Sequence, residues 1–212
     1  MKQINQYITE KIKLSKDRFH RETLTPKSKE ALLDMILEEM RNYGVNCNLN
    51  HIDVSKITDM SELFAITEEG DTEMDASWFN GDISKWDVRN VRNMERMFAR
   101  SDFNGDISNW ETYEVENMES MFDGSTFNND ISNWNVKKVR NMAGMFAICQ
   151  FNQPIGKWDV SNVRDMSEMF YGNMVFNQNI DNWNINSSLK TADMFADSLI
   201  EEKNKYPKWY TK

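Results

Sequence analysis

The chain has 212 residues, 40% of them hydrophobic, and a formal net charge of −9. Three Pro and eight Gly exclude collagen-like and linker-like chains, while fifteen Met and seven Trp give the apolar set an unusual makeup. The charge is uneven: residues 53–199 hold 25 Asp+Glu against 12 Lys+Arg, a net −13, which repels phosphate backbones and argues against nucleic acid as a partner.

Residues 1–24 read as an N-terminal tail. Ile4, Tyr7, Ile8 and Ile12 fall on one helical face, a short amphipathic piece that is marginal alone. Residues 1–8 lack the apolar core of a secretory signal, and no run is long enough to span a membrane. The expectation is a soluble protein, in the cytoplasm of a bacterial cell or in a phage particle rather than on the cell surface. Residues 25–52 are expected to form a capping helix and a connecting loop. Thr25 suits the N-cap, Pro26 the first turn, and Gly44 a left-handed stop. Leu32, Leu33, Ile36 and Met40 form the apolar stripe of that helix.

Residues 53–199 repeat. Phe-Asn recurs at Phe79, Phe103, Phe127, Phe151 and Phe176, and Trp follows at Trp86, Trp110, Trp134, Trp158 and Trp183. The period is 24 residues, with one step of 25 at the end. One partial unit (53–64) and five further units are expected, with an insertion near 65–78 that carries an acidic loop. The segment 106–108 reads as a very short strand. Apolar residues at i, i+3, i+6 and i+7 in 161–170 read as a short helix or 3₁₀ stretch. The expected repeat core is Phe103, Ile107, Trp110, Val115, Met118, Met121 and Phe122. The recurring Asn (Asn80, Asn104, Asn128, Asn152, Asn177) is expected to bond the backbone of the neighbouring unit, and the Asp column (Asp82, Asp106, Asp130) likewise. Residues 200–212 form a C-terminal tail whose aromatic end, Tyr206 to Tyr210, either folds back over the final unit or stays free.

The stretches Trp86-Asp87-Val88-Arg89-Asn90-Val91-Arg92-Asn93-Met94 and Trp158-Asp159-Val160-Ser161-Asn162-Val163-Arg164-Asp165-Met166 resemble the BspA-like leucine-rich-repeat surface proteins, in the mycoplasma-lipoprotein subtype of unknown function. The resemblance implies an α/β repeat: a right-handed leucine-rich-repeat-like solenoid of 24–25-residue units, each a short strand plus a short helix or 3₁₀ turn. It carries no catalytic residues over. Short proteins of similar build occur in bacteriophage genomes, and the tail resembles the targeting tags of some phage proteins. Ile8-Thr9-Glu10 resembles a head-protease cleavage site, which makes Ile4, Tyr7, Ile8 and Glu10 the candidate targeting residues.

An enzyme needs converging groups. His20 and His51 lie outside the full units, and neither they nor Cys47 and Cys149 form a metal motif. No catalytic set, metal site or cofactor is expected. The leading expectation is a non-catalytic repeat scaffold for protein–protein interaction or adhesion. The alternatives are a phage structural or packaged protein and a cytosolic host-interaction (anti-defence) factor. Exposed positions vary most at Arg89, Tyr113, Lys137 and Ser161, the candidate protein-binding face, and then at Arg96, Ser120, Gly144 and Glu168 on the helical side. The partner is another protein, and the chain is a monomer unless it joins a larger assembly.

Overall fold

In the computed structural model, which describes residues 22–66 and 75–211, turns govern the path of the chain. Regular structure is confined to helix α1 (Lys29–Tyr43), a 3₁₀ turn (Ala76–Trp78) and helix α2 (Leu199–Glu202). No strand is present among the described residues; parallel contacts occur only as isolated bridges.

The cause is local. Asp82, Asp87 and Asn93 each accept the backbone N–H two residues on, from Ser84 (3.0 Å), Arg89 (3.2 Å) and Glu95 (3.1 Å). Asp106, Asp130, Asp159 and Asp165 do the same in later stretches. A side-chain oxygen bonded in this way competes with helix and sheet, so each extended run is cut short. A second breaker follows at Arg96, Ser120, Gly144 and Glu168, whose φ values are 53°, 50°, 62° and 57°. These features overturn the expected right-handed leucine-rich-repeat-like α/β solenoid of strand-plus-helix units. Residues 106–108 make a turn instead of a strand. Residues 161–170 are broken at Asp165 and Glu168 and form no helix. The Asp column bonds within its own turn and not to the neighbouring backbone as expected, although Asp82 also accepts from the Asn48 side chain of the tier before it at 2.8 Å.

Successive tiers meet at parallel bridges, Asp59 to Asn93, Asn93 to Asn117, Asn117 to Asn141, Asn141 to Asp165, and Asp165 to Lys190, and through further backbone bonds such as Met94 N–H to the Asn117 carbonyl (2.9 Å), Arg96 N–H to Glu119 (2.8 Å) and Phe98 N–H to Met121 (2.9 Å). Between the tiers lies a core rich in aromatic rings. Phe98 stacks on Phe103 (4.3 Å between centroids), Phe122 on Phe127 (4.2 Å) and Phe146 on Phe151 (4.0 Å). Phe98, Phe122, Phe146, Phe170 and Phe195 also stack on one another at 5.7–5.9 Å. Phe103, Ile107, Trp110, Val115, Met118, Met121 and Phe122 are all buried in it.

Two side-chain ladders add to these backbone bonds between tiers. Each Trp Nε1–H donates to a carbonyl one tier back: Trp110 to Ile83, Trp134 to Ile107, Trp158 to Ile131 and Trp183 to Ile155, at 3.1–3.2 Å. Each Asn Oδ1 accepts the N–H of the next Asn in its column, from Asn80 through Asn104, Asn128 and Asn152 to Asn177. Both ladders satisfy backbone groups that lack a sheet partner. The tiers approach closely here: a Cβ on Gly81 would sit 1.9 Å from the Cys47 carbonyl oxygen, so this position demands glycine.

The two ends of the core are covered. Helix α1 buries Leu32, Ile36 and Met40 against the first tier, and its Lys29 Nζ donates to Ser61 Oγ at 2.9 Å. Its N-cap is Ser28, whose hydroxyl accepts from Ala31, and not Thr25; Pro26 precedes the helix instead of opening it. Gly44 ends it at φ 85°, ψ 169°, a positive φ outside the left-handed helical region expected. At the other end the tail folds back. Trp209 stacks on Trp183 (6.0 Å) and donates to the Ile180 carbonyl (2.8 Å), while Tyr206 and Tyr210 pack edge-on against Phe195.

Candidate binding face

One turn column carries Arg89, Tyr113, Lys137 and Ser161 at intervals of 24 residues. The N–H groups of Arg89, Lys137 and Ser161 are tied to Asp87, Asn135 and Asp159. Tyr113 has Glu111 two residues before it and no such tie; beside it the Thr112 hydroxyl donates to the Asn135 carbonyl at 3.1 Å. Cross-tier bonds fix the column: Asn90 Nδ2 to the Ser55 carbonyl (2.7 Å) and Asn162 Nδ2 to the Lys137 carbonyl (2.8 Å). The backbone is therefore held while Arg89, Tyr113 and Lys137 stay exposed and Ser161 is half-buried.

Charge divides the face. At one end the Arg89 guanidinium lies on Asp87 (2.8 and 2.7 Å) and 3.6 Å from Glu111. The Asp87 carboxyl is held below the usual carboxylate range, chiefly by that bond to Arg89. A shallow cleft of about 280 Å³ lies beside this pair, lined by residues that include Lys85, Asn109 and Glu111. At the other end a cleft of about 260 Å³ is lined by Glu116, Lys137, Lys138, Arg140 and Asn162. Sequence reading named Lys137 there and missed Lys138, Arg140 and Asn162. The available signal was that residues 131–158 contain no Asp or Glu.

The second candidate column, Arg96, Ser120, Gly144 and Glu168, lies on turns of positive φ, not on a helical side. Ile4, Tyr7, Ile8, Glu10, His20 and the acidic loop at 68–73 lie outside the described residues.

No metal-binding group of three His, Cys, Asp or Glu occurs among the described residues. His51 lies 3.5 Å from Glu39, away from the candidate face in sequence and turn column. Cys47 and Cys149 are both buried, and burial pushes the Cys149 thiol up to about 12. No helix among the described residues is long and apolar enough to cross a membrane.

No curated protein and no solved structure matches the chain. A family match covers residues 32–150 and 102–209, together more than half of the chain. It replaces the expected kinship with BspA-like leucine-rich-repeat surface proteins, which the absence of a β-sheet among the described residues also opposes. The repeat-scaffold and adhesion role drawn from that kinship falls with it. So do its alternatives, the phage structural protein and the host-interaction factor, which neither the aromatic-cored domain nor the family match supports. The chain belongs to the family described as Mycoplasma protein of unknown function, DUF285.

Proposed function

We propose that this domain is non-catalytic, uses no cofactor, and binds another protein on the surface formed by Arg89, Tyr113, Lys137 and Ser161. The observation that carries the reading is that side chains of differing chemistry project from one column of turns, three of them tethered at the backbone and the fourth held beside Tyr113 by the Thr112 hydroxyl, next to two clefts. Variable groups on a rigid frame suit recognition, because little order is lost on binding. The covers at both ends of the core support a monomer. The free, buried Cys149 supports a reducing setting such as the cytoplasm of a bacterial cell.

The test is a photo-cross-linker in place of Tyr113, with Asp102 on a different turn as the control position. Irradiation in the native cell is expected to give a discrete protein adduct from position 113 and none from 102. No adduct, or the same adducts from both positions, overturns the reading.

A further inference from the structure

We infer that the cleft beside Arg140 binds an acidic, extended segment of a partner protein; this rests on the protein-binding reading above and names the chemistry of that partner. Three observations converge. The first is local charge. Within a region of net −13, residues 131–158 hold Lys137, Lys138, Arg140 and Lys157 and no carboxylate. The second is how charges stack between tiers. Arg92 faces Glu116 at 3.9 Å and Lys138 contacts Glu114, so the preceding tiers alternate in sign. The alternation then stops. Arg164 N–H donates to the Arg140 carbonyl at 2.9 Å, which sets one exposed arginine directly over another. Neither arginine, nor Lys137, forms an ion pair among the described residues. The third is shape. Lys137 and Arg140 line a cleft of about 260 Å³ whose floor is pinned by the Asn162–Lys137 bond.

Adjacent tiers joined by parallel bridges are about 4.8 Å apart, and alternate residues of an extended chain lie about 6.6 Å apart on one side. Carboxylates on such a chain can therefore reach Arg140 and Arg164 in succession. The arginine forks favour carboxylates as bidentate acceptors. A nucleic acid fits less well. Glu116 also lines the cleft, with Arg92 3.9 Å from it, so a peptide carboxylate can take the Lys137 and Arg140 side, whereas unbroken phosphates would run on to Glu116 and the acidic body beyond; the cleft also has no aromatic residue for a base to stack on.

The experiment uses the full chain and a fluorescein-labelled hexaglutamate peptide, followed by anisotropy. Binding is expected at about 50 mM salt and should weaken sharply by about 200 mM. The double variant Arg140→Glu/Arg164→Glu should lose affinity by about tenfold or more. Lys27→Glu, which removes an exposed cation just ahead of helix α1, should change nothing, with all melting curves alike. No binding, or equal binding by wild type and the double variant, overturns the inference. Tighter binding of a labelled oligothymidylate of equal charge overturns it in favour of a nucleic acid. A Tyr113 adduct without hexaglutamate binding removes the acidic class and keeps the protein-binding reading. Hexaglutamate binding lost in the double variant, with no adduct at Tyr113, supports the site and removes that face as the wider interface.

Discussion

Ile148 is the most conflicted residue in the chain. It is 60% exposed and has φ 48°, a conformation that crowds a β-branched side chain. Glycine stands in the same place one tier before and one tier after, at Gly124 and Gly172, with φ 65° and 62°. Ile148→Gly should therefore stabilise the protein by about 1 kcal/mol, a rise of about 2–4 °C in Tm. A fall in Tm would show that the isoleucine side chain contributes more than the backbone loses. Those glycines were visible in the sequence, but their φ was not, because Arg100 and Asp197 share the column and hide the pattern. The neighbouring Cys149 was easier to read. It follows Ser101 and Ser125 in its column, and like Ser101 it donates to the carbonyl three residues back. Its thiol, raised to about 12 chiefly by burial, should resist iodoacetamide at neutral pH until the protein unfolds. The raised value makes the folded state hold its proton more tightly. Its contribution is intact below the ordinary thiol range and is lost as pH rises from there through about 12. Rapid alkylation of the native protein would contradict this environment.

At the scale of the turn, side-chain oxygens do what strands and helices were expected to do. The sequence made the 24-residue register and the Phe, Trp and Asn columns legible, since each needs only identity at a fixed spacing. It did not reveal the local geometry. Four apolar residues across 161–170 suit a helix, yet Asp165 bonds Ser167 and Glu168 turns left-handed before one full face is built. Periodicity over so few residues cannot choose between a helix and a chain of turns. The turns leave a pH signature. The carboxyls of Asp106 and Asp130 are held below the ordinary range, the first mainly by the Ser108 hydroxyl and the second mainly by the Ser132 N–H. Groups with depressed values contribute stability above that range and lose it as pH falls through the folded value. Melting temperature should thus drop in acid below about pH 4. Asparagine keeps the accepting oxygen, as Asn179 does in the same column, but does not titrate. Asp106→Asn/Asp130→Asn should melt normally near neutrality and lose less stability in acid. An unchanged acid profile would move the pH dependence to other carboxylates. The candidate face divides the same way: register exposed Arg89, Tyr113, Lys137 and Ser161, whereas the Arg140–Arg164 stack depends on which residues lie over one another between tiers.

For the whole molecule, the open question of any stacked core is what covers its last layer. Here the answer at one end is the aromatic C-terminal segment, with Trp209 over Trp183 and Tyr206 and Tyr210 against Phe195. Every Trp from Trp86 onward places its indole N–H on a carbonyl one tier back, and Trp209 extends that ladder past the last full tier by bonding Ile180. Without it the Ile180 carbonyl loses its donor and one face of Trp183 is uncovered. Trp209→Ala removes a half-buried indole as well as that bond, so the expected loss is about 2–4 kcal/mol. Trp78, although the same residue type, is 47% exposed and lies outside the ladder, so Trp78→Ala should cost less than about 1 kcal/mol. The comparison separates closure of the core from simple loss of an aromatic ring. Removing residues 206–211 should go further, uncovering Phe195 together with Trp183. Two such ends present apolar rings and unpaired backbone to each other, which favours end-to-end association. Sedimentation should show a monomer for the intact chain and concentration-dependent oligomers for the truncated one. A truncated protein that remained monomeric and melted normally would show that the last tier covers itself, and would reduce the returning tail to a surface attachment.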